Sequence, residues 1–321
     1  MNMDLIDKVI KPLDNFIDKE TETLPFSQDN SFTPIKLDTK NFHQLSLFSN
    51  NKTLIAIDGG NAEILNAPSL SLSFIRIAAV SYKENKKIKT IKKEFFCLVK
   101  AENNNNKLFY SIEIFGDDLF KTNLNFNSVL ETLGGEKYNL EISSIPNIIR
   151  RYAELKLANE TIENNSNLVI DGSIQAKNEE EVQLIKDLLK KAEEKNTTIG
   201  FLSKTCRLLT KNASSLNSSL NELGPKSTWF YHPVFKISNP NFLGDIFFIK
   251  LHQKSKYVFK LEFNIGQNAD DYVLSLATNS TDPIFYGYPF ALIEADRSAR
   301  VTNQEKEYLK TIFISKIKNK E

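Results

Sequence analysis

The sequence predicts an α/β protein, a single mixed β-sheet with helices packed on its faces. Three observations carry this reading. Residues 53 to 100 hold three β-rich runs, "TLIAIDGG", "LSFIRIAAVSY" and "IKTIKKEFFCLVK", joined by short polar links as in an antiparallel meander. Residues 146 to 204 then alternate helix, apolar strand, helix, apolar strand, the pattern of a parallel pair with crossover helices. The chain of 321 residues is 41% hydrophobic and 25% charged, enough apolar material for a sizeable core.

Taken in order, the chain opens with Leu5, Ile6, Val9, Ile10, Leu13, Phe16 and Ile17 at helical spacing, with Pro12 as a kink. This is an amphipathic arm whose apolar stripe needs cover, from its own body or from a partner. Residues 21 to 53 are polar, contain Pro25 and Pro34, and read as a connector with short helical pieces. The division is thus an arm and connector over residues 1–50 and one α/β domain over 51–321. After the meander, "KAENNNNKL" reads as a surface loop and 107–145 as an insertion. "PNIIRRYAELKLANETIEN" puts Ile148, Ile149, Tyr152, Leu155 and Ala158 on one helix face. "NLVIDGSI" and "TIGFLSK" are short apolar strands flanking the charged helix "NEEEVQLIKDLLKKAEEKN". "DIFFIKLHQ" and "YVFKLEFN" form a hairpin pattern, and the chain closes through "YGYPFALIEADRSARV" into a last helix.

Bulk properties exclude several classes. Lys plus Arg number 41 against 40 Asp plus Glu, so bulk charge alone does not coat nucleic acid, although a local basic groove is allowed. Cys97 and Cys206 stand far apart, in no metal-like spacing; this predicts free thiols, a reducing compartment and a cytoplasmic protein. No apolar run is long enough for a membrane span, and the acidic N-terminus lacks a cleavage signature.

The chemistry concentrates in a repeated motif. "LIAIDGG" is echoed by "LVIDGSI", so Asp58 and Asp171 are each expected to end an apolar strand just before glycine. Singly, each Asp-Gly is also ordinary turn chemistry. Together, on neighbouring strands about 4.8 Å apart, two carboxylates can bracket divalent ions that sit about 3.5 to 4 Å apart. Hard oxygen donors suit Mg²⁺ or Mn²⁺. Between them Glu154 borders the buried stripe of its helix; the bland alternative is a surface ion pair with Arg150 or Arg151.

The ordered set "AIDGG", "RRYAEL", "LVIDGSI", "FLSK", "FIKLH" and "YGYPFALIEAD" resembles the NurA nucleases, from about residue 50 to residue 315. The resemblance implies a ribonuclease H-like fold, with the N-terminal helical arm and C-terminal extensions added to it. It implies an Mn²⁺-dependent single-strand endonuclease and 5′-to-3′ exonuclease. Such an enzyme is a homodimer working with a hexameric HerA-type ATPase in resection of DNA double-strand breaks. By position, Asp58, Glu154 and Asp171 match the family's metal-binding acids, Tyr288 its active-site tyrosine, and Lys204 its basic residue beside the acids. Where the family usually has histidine this chain has Asp296, a fourth acid; a salt bridge to Arg297 or Arg300, or a helix cap, is the alternative role.

Four carboxylates balance two divalent ions, Mg²⁺ or Mn²⁺, and repel one another without them, which predicts a site destabilised by EDTA. Two ions would activate a water and offset charge on the leaving 3′ oxygen. Lys204 would neutralise the phosphate, and Tyr288 would donate to a phosphate oxygen or stack on a base. His252 is expected on a solvated strand face with Lys250, with a DNA-facing role as the alternative, and the single Trp229 in the core or an interface. Two rivals stand. An actin-like kinase also ends its first strand in Asp-Gly-Gly, but "GGNAEIL" lacks the Ser or Thr phosphate donors. A catalytically inactive DNA-binding subunit would keep the fold.

Overall fold

The meander is longer than its apolar runs suggest. In a computed structural model, β4 (Leu54–Ala67), β5 (Leu70–Lys83) and β6 (Lys86–Asn104) form two wide antiparallel hairpins. They follow α1 (Met3–Ile17) and three short strands, β1 (Pro25–Phe26), β2 (Phe32–Pro34) and β3 (Phe42–Gln44). The described residues are 3–17, 23–46, 51–116, 118–120, 124–131, 133, 135, 137–264 and 268–318. The Asn-rich stretch is a tight hairpin, not a loop: Asn105 and Asn106 take positive φ and turn β6 directly into β7 (Lys107–Gly116). In place of an insertion, β7 and β8 (Leu124–Asn127) extend the same sheet, and β9 (Val129–Glu131) pairs with β10 (Lys137–Asn139) beside it.

The alternating half follows as the apolar runs dictate. Helix α2 (Ile145–Thr161) leads to β11 (Asn167–Asp171), then α3 (Glu179–Glu194), capped by the Asn178 side chain, and β12 (Thr198–Ser203). After β13 (Leu209–Thr210) and α4 (Leu216–Leu223) come β14 (Trp229–Tyr231), β15 (Phe235–Ile237), β16 (Asp245–Lys250) and β17 (Phe259–Phe263). The chain ends in α5 (Ala269–Thr278), α6 (Phe290–Ala299) and α7 (Asn303–Lys318). The main sheet has eleven strands in the order β3-β14-β16-β17-β12-β11-β4-β5-β6-β7-β8. β11 pairs parallel with β4 and with β12, and the other neighbouring strands described in this sheet pair antiparallel. β16 and β17 pair antiparallel, as their sequence pattern predicts.

Strand alternation sends each apolar set to its own face. Ile55, Ile57, Ile77, Leu168 and Ile170 pack with α2 and α3. Ala56, Val80, Val169 and Leu202 pack with α5 and α6 on the other face. At about 25 cal/mol per Å², these two layers supply most of the driving force for folding. Arg76 of β5 ties α7 to the sheet through Glu305 and the Arg300 carbonyl.

Three readings need correction. The connector carries strands, and β3 is an edge of the main sheet, paired with β14. Residues 18–22 and 47–50 of that connector, and the Phe16 and Ile17 side chains of the arm, lie outside the described residues. Lys250 is not on a solvated face: it is buried, and its ammonium donates to Asn221 Oδ1 at 2.9 Å. Trp229 is fully buried, as a core residue should be, and both cysteines are free. Of the arm's described stripe residues, Leu5, Val9, Ile10 and Leu13 are exposed and Ile6 is half-buried, so most of it is not covered by the body. No described helix is long and apolar enough to cross a membrane.

Candidate active site

The Asp-Gly-Gly motif does not end its strand. β4 runs through Asp58, Gly59 and Gly60, which pair with Ala78, Ile77 and Arg76 of β5. What ends there is the parallel pairing with β11, whose last partners are Ile57 and Ile170. The next residues on the two strands are Asp58 and Asp171, so the aspartates stand side by side where the strands part. Alternation puts them on the face of Ala56 and Val169, the face covered by α6.

Each glycine makes room for one helix. A Cβ on Gly59 would lie 2.5 Å from Glu154 Oε1, on the α2 face. A Cβ on Gly60 would lie 2.4 Å from the Ala299 carbonyl oxygen at the end of α6. Glu154 therefore reaches the Asp58 edge through the gap that Gly59 leaves. This overturns the phosphate-loop reading on which the actin-like rival rests, because both glycines are in a strand and covered from both sides.

The electrostatics record the convergence. Burial, the Asp171 charge and the Glu154 charge push Asp58 up to about 7, against Lys204 and the Gly59 N–H, which favour its ionised form. Burial also raises Glu154, opposed by Arg150 and Arg151 at 3.3 and 3.7 Å. The ion pairs set out as the bland alternative for Glu154 are thus formed, but on a buried side chain rather than a surface one. Lys204 donates to Asp171 Oδ2 at 2.8 Å. Burial works to depress that ammonium, yet Asp171, Asp58 and Asp296 together hold it above its ordinary value.

The loop after Asp171 is fixed in turn. Gly172 has φ +115°, a region open to glycine, and its N–H and carbonyl bond Leu202 and Ser203 of β12. Buried Glu262 of β17, paired with Lys260, accepts from the Ile174 N–H at 2.9 Å. Arg151 grips the same loop at the Ser173 carbonyl and Glu181 on α3. The sequence reading names Arg151 only as an ion-pair partner of Glu154, not as a clamp on this loop, and it misses Glu262, which nothing local marks.

Tyr288 and Asp296 come from the α6 side. The Tyr288 ring lies 5.5 Å from Lys204 Nζ and its buried hydroxyl has no hydrogen-bond partner among the described residues. Burial first, then Asp171, Asp58 and Asp296, hold that hydroxyl far above its usual range, so it keeps its proton and can donate it in a hydrogen bond. Asp296 pairs with Arg300, as its alternative role proposed, while its charge still reaches Lys204 and Tyr288. An open cleft of about 830 Å³ is lined by Asp58, Glu154, Asp171, Arg151, Lys177 and Lys204 among others.

The described donor set offers a divalent cation hard oxygens but no ready cage. Among the described residues no three Asp, Glu, His or Cys side chains stand ready to hold a metal, since Glu154, Asp171 and Asp296 face cationic side chains. The chemistry nonetheless fits: hard oxygens, mutual repulsion centred on Asp58, and an unpartnered buried hydroxyl beside them.

Comparison with known families gives a match to the NurA domain over residues 52–301. The chain belongs to the NurA family. Its fold agrees with the NurA nuclease from Sulfolobus solfataricus at TM-score 0.58 and 15% identity, covering 100% of this chain and 99% of that one. A second solved NurA structure aligns at TM-score 0.53 and 10% identity, covering 98% of each chain. At such identities these structures establish the fold alone, a mixed sheet with helices on both faces. No curated protein sequence matches the chain.

Proposed function

We propose that this NurA protein is a divalent-metal-dependent nuclease that hydrolyses phosphodiesters in DNA. The observation that carries the reading is the pair Asp58 and Asp171 at the parting of β4 and β11, with Glu154 entering through the gap at Gly59. Family membership and the nuclease from Sulfolobus solfataricus support it. Asp58, Asp171 and Glu154 would hold the cation, with Asp296 as a further acid on the α6 side. When bound, Mn²⁺ or Mg²⁺, as two ions, supplies Lewis acidity toward the phosphodiester and the attacking water.

The chain's own groups complete the reaction. Lys204 stands beside the acids to offset charge on the scissile phosphate, releasing Asp171 as the phosphate arrives. Tyr288, with its hydroxyl proton retained and unpartnered, donates to a phosphate oxygen. Arg150 and Arg151 hold Glu154 in place and oppose the rise that burial gives its carboxyl. The resemblance supports the finer assignments: single-strand endonuclease and 5′-to-3′ exonuclease activity, end resection beside a HerA-type ATPase, and a cytoplasmic homodimer. The largely uncovered apolar stripe of α1 also supports the homodimer.

One observation favours a second reading, a DNA-binding subunit that does not cut: every acid of the set except Asp58 is neutralised by an Arg or Lys. Incubation with end-labelled single-stranded DNA and Mn²⁺ separates the two. The nuclease shortens the label and Asp58→Ala abolishes shortening while retaining binding; binding without shortening by the parent chain refutes the nuclease.

A further inference from the structure

We propose that the hollow between the loops 252–258 and 281–289 is a stacking subsite for unpaired bases of the DNA strand whose phosphate lies at Asp58 and Asp171. The inference rests on the nuclease reading above. It starts from a second concavity of about 600 Å³ that shares Lys204 and Tyr288 with the acidic site, so one strand can run from the acids into it. Its walls combine Tyr257, Phe285 and Ile284 with Lys254 and Lys256.

Phe26, Phe115 and Tyr308 are also exposed, but here two exposed aromatics and an exposed isoleucine line one hollow. Tyr257 is 69% exposed, Ile284 81% and Phe285 36%, whereas Tyr152, Tyr231 and Tyr272 are almost wholly buried. The platform is nevertheless built. Gly287 has φ +86°, and a Cβ there would lie 2.5 Å from Ser255, so the two loops meet in direct contact. Behind the exposed rings, Tyr286 stacks on His252 with centroids 4.5 Å apart and planes 16° from parallel. Phe259 meets Tyr288 edge-on at 5.3 Å. His252 thus backs the platform rather than facing solvent from a strand.

Charge selects the occupant. Lys204, Lys254 and Lys256 line the hollow, and no carboxylate is among its lining residues. Aromatic faces with ammonium groups between them, and no acid, suit a polyanion that offers flat apolar faces. Single-stranded nucleic acid has both; in a duplex the base faces are occupied by each other. The subsite therefore accounts for a preference for unpaired DNA without any contact to a base edge.

The test uses the full chain carrying Asp58→Asn, which binds without cutting, and a fluorescein-labelled 20-nucleotide oligothymidine in EDTA. Tyr257→Ala and Phe285→Ala each weaken binding about tenfold, as loss of one stacked base does. Replacing successive thymidines with abasic residues weakens the Asp58→Asn chain by a similar factor at one or two positions. The Tyr257→Ala chain shows no further loss at those positions. Lys254→Gln and Lys256→Gln each lower the salt slope of binding by about 0.7. Tyr257, being on the surface, changes without unfolding; an unaltered melt verifies this. Aromatic variants that bind as tightly as the parent, or lose intact and abasic strands equally, overturn the proposal. So does a change of oligomeric state at constant strand affinity, which would make the hollow a protein interface. Because binding is read without cleavage, a parent chain that fails to cut refutes the nuclease reading and leaves this result separate.

Discussion

Asp58 carries a strongly raised pKa, and its consequence is a pH dependence with a definite sign. A carboxyl whose folded pKa, about 7, lies above its unfolded value of 3.8 holds its proton more tightly in the fold. Its contribution to stability therefore falls as pH climbs from about 4 to about 7 and stays low above that. Asp58→Asn removes the penalty. In EDTA at pH 8 the variant is expected to melt higher than the parent, by the equivalent of a few kcal/mol. The gap should close toward pH 4. Mn²⁺ should raise the melt of the parent at pH 8 and do less for the variant. A gap that is constant from pH 4 to 8, measured by scanning calorimetry, would contradict the burial and charge coupling assigned to Asp58. The sequence named this residue; its raised pKa arises first from burial and then from Asp171 and Glu154, 113 and 96 positions later, and no local pattern contains it.

At the scale of the element, Gly59 and Gly60 are adjacent on one strand and serve opposite faces. Gly59→Ala would put a methyl 2.5 Å from Glu154 Oε1 and 3.0 Å from Arg150 Cγ and Ile77 Cγ2, so it displaces a side chain held by two arginines. Its expected outcome is a loss of cleavage proportionally larger than its loss of stability, because Glu154 leaves Asp58. Gly60→Ala meets the Ala299 backbone, which cannot yield so cheaply. That variant should lose about 1–3 kcal/mol of stability by overpacking. Equal losses of stability and activity in the two would show that the faces are not separated as described. The sequence made the strand legible through its apolar run, and the turn reading of Asp-Gly-Gly failed for a physical reason. Glycine is favoured at turns, but equally where two helices close on a sheet. Only the packing distinguishes these uses. The Asn-rich stretch shows the converse: its composition suggested a loop, yet two asparagines able to take positive φ made a hairpin.

For the whole molecule, the eleven-stranded sheet places strands from residues 42–44 to 259–263 in one layer, so the site depends on nearly the full chain. The arm stands outside this cooperation. Deleting residues 1–22 is expected to leave the melt of dilute protein unchanged, because most of the α1 stripe is not covered by the body. Sedimentation should then show loss of self-association if the arm forms the homodimer. A large drop in melting temperature would mean the arm packs on its own chain.

The sequence by itself determined the mixed α/β class, the meander and the strand–helix–strand segment, and it nominated the six residues Asp58, Glu154, Asp171, Lys204, Tyr288 and Asp296. These follow from periodicity and residue type, which act over a few positions, and from an ordered resemblance. Tertiary structure alone decided which carboxylates share a face, which cation faces each, why two glycines flank Asp58, and that exposed aromatics adjoin Lys204. Those are distances between residues far apart in the chain, and a through-space charge or a steric contact leaves no mark on local sequence.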